Sequence, residues 1–509
     1  MTYIPYLIII ASYIIYKLLH NAQLNNRARK LGCKPVKRIP PRNWLDSIGL
    51  YEIIFRKQMM EKGATFENLE LAFARAQAKT FQGMALFKPF IMTTEPENLR
   101  HMMSSAHFNE WNIWPRPQAF GILLGDGIFS SEGAQWKHSR VMLRPSFTKE
   151  NVKQIAKMEP FAARVVELVK QQQGEAVDMQ DIFQFFTMDF TTDLLLGESS
   201  DSLKDALGQS SQTGIDPELK RQFSIAFDVS ANYLMTRAIL GHLMFLVNPK
   251  ALQDAIRVQH KFVGYYIAKA LAMNTRELQE KSDDGTIFLY QLAHETKDPI
   301  NLRNQILSII LAGRNTTSGL MTFLFAQLSK HPQIYAQLRD IVRHDFPTVE
   351  SITFDSIQNC NYLRWCINET LRINPSVPFE SKTASVDTTL PRGGGPDGNA
   401  PIFVSKGTRI VYSLWVGNRD EKYFGKDTNE FIPQRWEKLP RNGGIAFMPF
   451  SVGPRACLGQ SLALTEAAYI TIRLLQNFDT CESHLGPEPW RKTSSATMRL
   501  IDGCKLSFK

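Results

Sequence analysis

Apolar positions along this chain recur mostly at helical spacing. From Glu159 to Gln173, EPFAARVVELVKQQQ repeats them about every 3.6 residues. The longest such stretch starts near Leu302 and ends before Pro332, which cannot continue a helix. At 1.5 Å per residue it spans about 40 Å. It is apolar on nearly every face, so it is predicted to cross the interior. After Cys457, the residues Leu464, Ala468, Ile472 and Leu475 repeat the same period and predict a helix fed by the cysteine loop. Strand signals are few and late. Ala400 to Val416 carries two β-rich runs around Ser405, Lys406 and Gly407. Thr497–Ile501 and Cys504–Lys509 flank Asp502-Gly503, a hairpin signature. The run from Pro391 to Gly398 reads as a turn between strands. The expected class is mainly α with a small β region.

The N-terminus breaks the pattern. Tyr3 to Leu19 is apolar except for Ser12 and Lys17, a length at the short end for a membrane span. No basic region precedes it and no cleavage motif follows. Lys17 can snorkel. Arg27, Arg29, Lys30, Lys34, Lys37 and Arg38 follow closely, which would hold the rest of the chain on the cytosolic side. Arg38 to Arg42, RIPPR, is stiff and extended. The expected organisation is a membrane anchor over 1–22, a basic, proline-containing hinge over 23–45 and a catalytic domain over 46–509. A buried N-terminal helix is the alternative.

Composition adds limits. The 509 residues are 44% hydrophobic and 21% charged, ample for a large core. Six scattered cysteines with no CxxC pair argue against zinc and against a disulfide framework. The net charge of +10 suits an anionic membrane surface or an acidic protein partner. No basic stripe with interleaved aromatics is present, so nucleic acid is not an expected partner.

One cysteine stands in unusual surroundings. Phe450 to Gln460 reads FSVGPRACLGQ. Cys457 lies in a loop that opens a helix, where free N–H groups and the helix dipole stabilise a thiolate. Gly453 and Gly459 permit tight turns and close approach to a flat group. Arg455 adds a cation able to pair with an anion. Together these suggest ligation of haem iron. The segment resembles the F-x-x-G-x-R-x-C-x-G signature of cytochrome P450. The resemblance implies haem b as cofactor, with Cys457 as the axial thiolate that favours O–O cleavage, and with Phe450, Gly453, Arg455 and Gly459 in its binding loop.

Other segments extend the resemblance. Glu369 and Arg372 of ETLR, with Arg435 of FIPQRW, match the family's buried charge cluster and imply a structural role. Trp136 and Arg140 of WKHSR match residues that reach a haem propionate, and Lys382 falls where the family often has another propionate-binding base. Ala312 to Thr317, AGRNTT, matches the oxygen-activation segment, with Thr316 as the proton-relaying hydroxyl. The family usually has a carboxylate directly before that threonine; this chain has Asn315, whose amide cannot release and recapture a proton. The segments around Leu123, Thr388 and Lys406 resemble the fungal subgroup that hydroxylates alkanes and fatty acids. That implies a hydrophobic substrate, with Ile113, Phe120, Leu123, Ile309, Val377, Phe379 and Glu380 as candidate contacts. Glu380 would recognise a hydroxyl or an amine if it faces the pocket, and nothing if it faces out.

The resemblance implies a monooxygenase anchored by membrane lipid in the endoplasmic reticulum. It would use O2 and electrons from NADPH through NADPH-cytochrome P450 reductase. A role in tailoring a lipid-like fungal secondary metabolite is equally compatible. A haem-thiolate isomerase or dehydratase that consumes no O2, and a haem-binding protein without turnover, are the rivals.

Overall fold

The computed structural model describes residues 4–147, 155–209, 214–283, 287–440, 443–494 and 497–509. The helices that position the site are α1 (Ile4–Lys30), α2 (Pro96–Met103), α3 (Arg116–Leu124), α4 (Gly133–Leu143), α5 (Glu159–Gln171), α6 (Met179–Leu196), α7 (Pro217–Leu240), α8 (Lys250–Leu271), α9 (Pro299–Lys330), α10 (Asn361–Ile373) and α11 (Gln460–Asn477). α9 is the long helix expected from the sequence. Asp298 caps it by accepting from the Ile300 N–H at 2.9 Å, Pro299 fills its first turn, and it stops at Lys330 before Pro332.

α9 belongs to two hydrophobic cores. Its N-terminal half, through Leu302, Ile306, Leu307 and Ile310, packs with Phe120 of α3, Phe223 and Phe227 of α7 and Phe262 of α8. Its C-terminal half, through Leu320, Phe323, Leu324 and Leu328, packs with Phe183 and Phe186 of α6, Leu363 and Ile367 of α10 and Ile470 and Leu474 of α11.

The strands are β1 (Lys37–Arg38), β2 (Thr80–Ala85), β3 (Lys88–Thr93), β4 (Trp111–Asn112), β5 (Val177–Asp178), β6 (Phe379–Ala384), β7 (Thr388–Gly394), β8 (Ala400–Val404), β9 (Arg409–Ser413), β10 (Cys481–Ser483), β11 (Lys492–Ser494), β12 (Met498–Leu500) and β13 (Lys505–Phe508). The main sheet runs β1-β2-β3-β9-β6-β4. The two β-rich runs expected between Ala400 and Val416 are β8 and β9, but they enter different sheets. β8 pairs with β7 across the glycine-rich turn, and β9 lies between β3 and β6.

The hairpin expected at Asp502-Gly503 does not form. β12 pairs with β11, and β13 pairs with β10 and β5. The reason is local. Gly503 adopts φ +76, and a Cβ there would lie 1.9 Å from Asp178 Oδ2. The same carboxylate accepts from Cys504 N–H at 2.8 Å and caps α6 through Gln180 N–H at 2.9 Å. The turn is tied to a helix start, so its two strands diverge.

At the N-terminus, α1 runs through both the expected anchor and the start of the expected hinge. The chain then joins the main sheet, with Lys37 and Arg38 opposite Phe81 and Gln82. Most side chains between Tyr3 and Leu19 lie outside the described residues. Among the described residues, no helix is long and apolar enough to cross a membrane.

Candidate active site

The cysteine loop is folded by its own backbone and by α2. Cys457 N–H donates to Phe450 O at 2.9 Å. Gly453 has φ +73, and a Cβ there would lie 1.8 Å from the Met103 carbonyl oxygen at the end of α2. Close approach is thus required at Gly453, but the neighbour is protein backbone. Gly459, at the cap of α11, has φ −84 and no crowded neighbour. Its N–H donates to the Cys457 sulfur.

Five of the six cysteines are buried and Cys457 alone is exposed. Burial nevertheless pushes its thiol up, against the Gly459 N–H and the charge of Arg140, which pull it down. An exposed sulfur that still feels desolvation sits in a recess, walled by protein.

α9, which packs on α11, is interrupted between its two cores. Ile309, Gly313 and Thr316 are half-buried and Ala312 is exposed. These four positions are spaced i, i+3, i+4 and i+7, so they form one stripe along the middle of the helix. Thr316 Oγ1 donates to Ala312 O at 2.7 Å, and Ser376 Oγ donates to Thr316 O at 3.0 Å. Asn315 is turned about 100° from Thr316. It lines a different, polar cleft with Gln180, Asp228 and Ser318, and its Oδ1 is buried without a partner among the described residues.

A basic cluster surrounds a second recess. Lys382 of β6 is 8% exposed, and its ammonium makes no hydrogen bond to any described residue. Burial, then the charges of Arg116 and Arg455, push its ammonium down to about 7. Arg455 is pushed down to about 10, chiefly by burial and then by Arg116. Arg409 is also pushed down to about 10, by burial and Arg116. Arg455 lies 4.4 Å from the Trp136 ring centroid and Arg140 lies 5.8 Å from it. Arg455 also donates to Ser131 O at 2.9 Å. Lys382, Arg455 and Trp111 line the recess, and Trp111 Nε1 is buried without a partner among the described residues.

Against Arg116, Arg140, Lys382, Arg409 and Arg455 stand the carboxylates of Glu132 and Glu380. Unpaired donors and excess buried positive charge fit a dianionic group. The two propionates of haem supply such charge, and the exposed thiol fits an iron ligand. The residues present therefore suit haem b.

The third expected cluster is closed on itself. Glu369 and Arg372 are both 0% exposed. Arg372 Nε and a terminal nitrogen donate to the two Glu369 oxygens at 2.9 and 2.8 Å. Arg435 Nε donates to Glu369 Oε1 at 2.7 Å, and Trp436 Nε1 to Oε2 at 2.9 Å. The outer nitrogens of Arg372 donate to the carbonyls of Asn418, Thr428 and Glu430.

The candidate substrate residues divide. Ile309, Val377, Phe379 and Glu380 are half-buried; Ile113, Phe120 and Leu123 are buried. Leu123, at 0% exposure, and Phe120 pack in the second core. Both Glu380 oxygens are engaged, Oε1 by Arg116 and Oε2 by Tyr412 at 2.9 Å.

Sequence reasoning missed Arg116, Glu132, Arg409 and Arg314. Arg314 carried a readable signal: a lone charge inside an apolar helix needs a partner. Arg116 carried none, because its neighbours in the cluster are remote in sequence.

A family model described as Cytochrome P450 matches residues 61–508. Cytochrome P450 52C2 of Candida maltosa is 48% identical over 506 residues, covering 99% of each chain. Cytochrome P450 52C1 of Candida tropicalis is 43% identical, covering 97% of each. The crystal structure of the cytochrome P450DA haem domain is similar in fold, with TM-score 0.73, 20% identity, and coverage of 94% of this chain and 97% of that one. Likeness at this identity over nearly the whole length, joined to a recess that suits the cofactor, decides the matter: the chain belongs to the cytochrome P450 family and is a haem-thiolate monooxygenase with haem b as its cofactor.

Proposed function

We propose that the chain hydroxylates a C–H bond of an alkane, a fatty acid or a similar lipid, held to the membrane by α1 and supplied with electrons from NADPH by NADPH-cytochrome P450 reductase. The observation that carries this reading is the stripe Ile309–Ala312–Gly313–Thr316, an open strip midway along the helix that packs on the helix behind Cys457. Small residues there leave room for dioxygen. The half-buried Ile309, Val377 and Phe379 offer apolar surface to a hydrophobic chain.

When bound, haem supplies the activation of dioxygen. The residues of the chain do the rest. Cys457 would hold the iron through its sulfur, and the Gly459 N–H and the Arg140 charge favour its thiolate. Lys382, Arg455, Trp136 and Arg140 would hold the propionates, and Phe450 and Gly453 would shape the loop. Thr316 keeps a hydroxyl at the chamber, where it accepts and passes a proton. Glu369, Arg372 and Arg435 hold the fold beneath. The basic residues after α1 suit an anionic membrane surface.

Cys457→Ser tests the central assignment. The variant is expected to lose the thiolate-type band of the reduced carbon-monoxide complex and all hydroxylation; a retained band overturns the reading. For the anchor, deletion of residues 1–30 is expected to move the protein from membranes to the soluble fraction. An unchanged distribution removes that part.

A further inference from the structure

The hydroxylation just proposed consumes two protons. One oxygen atom enters the C–H bond, and the other leaves as water with two electrons from the redox partner. The protons come from solvent, and the family's usual carboxylate beside the threonine is an amide here, Asn315. The polar cleft on that side of α9 bears on this gap. Three helices each turn a polar stripe toward it: Gln180 and Gln184 of α6, Asp228 and Asn232 of α7, Asn315 and Ser318 of α9. Each pair is spaced i, i+3 or i, i+4, so each lies on one helix face. The cleft opens to solvent and has about 20 Å³ of room for water centres, enough to admit water.

Asp228 is the carboxylate at this cleft next to Asn315. Arg314 holds it in a fork, Nη1 to Oδ1 at 2.7 Å and Nη2 to Oδ2 at 3.3 Å. The Arg314 side chain is 3% exposed and that of Asp228 43%. The acid is therefore anchored inside and reachable from outside. Arg314 directly precedes Asn315, so the fork fixes Asp228 against the turn that carries the orphaned Asn315 Oδ1. Asn315 is followed by Thr316, whose hydroxyl is on the chamber side.

Resting on the monooxygenase reading above, we infer that this cleft is the proton route to the chamber and that Asp228, positioned by Arg314, supplies from α7 the carboxylate that α9 lacks. Asp228 takes a proton from solvent hydronium, forming its own O–H bond and releasing a water. It passes that proton to a water that donates to Asn315 Oδ1; that water gives a proton to the Thr316 oxygen as the Thr316 hydroxyl passes its own proton on into the chamber. The amide orients water without titrating.

The test uses the full-length chain in membranes with a fungal NADPH-cytochrome P450 reductase. The substrate is whichever of dodecanoic acid, hexadecanoic acid and hexadecane the wild type turns over fastest. Asp228→Asn is expected to keep the thiolate-type spectrum and the substrate-binding shift. Product formation should fall about tenfold, within the usual range for acid–base groups, with more electrons ending in hydrogen peroxide and a larger solvent deuterium isotope effect. Asn315→Asp added to that variant should restore product formation to within about twofold of wild type. Asp228→Asn acting within about twofold of wild type overturns the inference, and so does a loss that Asn315→Asp does not restore. Should Asp228→Asn fail to accumulate as haem protein, Asn315→Asp alone decides: higher product per electron supports the route, and an unchanged value overturns it. A wild-type chain without the thiolate-type spectrum overturns this inference together with the reading beneath it.

Discussion

Two arginine-rich clusters, one buried and one half-buried, differ in their charge balance. Around Glu369, each cation meets a carboxylate or a backbone carbonyl, and each carboxylate oxygen accepts at least two bonds. Around Lys382, five cations face two carboxylates, and an ammonium and an indole N–H have no partner among the described residues. A closed cluster has nothing left to bind, so its work is structural. An open one has donors and charge to spare, which only makes physical sense if something anionic sits among them.

The comparison can be broken most forcefully at the closed cluster. Glu369→Gln leaves Arg372 and Arg435 buried against a neutral amide, and should cost about 3–5 kcal/mol of stability. Chemical denaturation of the purified protein checks it, and a loss under about 1 kcal/mol would mean the cluster is not closed in solution.

Glu466 sharpens the contrast from the opposite sign. It is a 4% exposed carboxyl on α11, and burial raises it to about 8 from 4.5. Between those values the unfolded chain holds fewer protons, so stability falls as pH rises through that window. Glu466→Gln should match wild type near pH 5 and exceed it by roughly 1–3 kcal/mol near pH 8, since one pKa unit corresponds to about 1.4 kcal/mol. Denaturation at both pH values checks the slope; equal slopes would show that Glu466 has a partner.

At the open cluster the effect moves from folding to cofactor retention. Arg455→Met should speed haem transfer to an acceptor globin about tenfold, equivalent to about 1.4 kcal/mol, while unfolding of the haem-free chain changes little. Lys382→Arg is the smallest change. It keeps the charge, so haem transfer should stay within about twofold of wild type.

Legibility in the sequence followed the range of the forces involved. α9 and α11 could be read because 3.6-residue periodicity is local. The cysteine loop could be read because its functional residues are contiguous. The hairpin at Asp502-Gly503 was misread because its geometry is set by Asp178, more than three hundred positions earlier. Arg116 and Glu380 meet across a comparable separation, and no local pattern announces such a pair. Asn315 could be flagged as a departure, but only the helix phase shows that its side chain turns into the polar cleft while that of Thr316 lies on the neighbouring stripe.

The contact between Gly453 and Met103 has a consequence for how this enzyme can change. With the oxygen of a neighbouring helix filling the site where a methyl would go, the height of the sulfur is set by a hard stop outside its own loop. Adding one carbon at position 453 would lever the loop off its seat, so this one position stays closed to every residue but glycine for as long as the loop keeps its place against Met103.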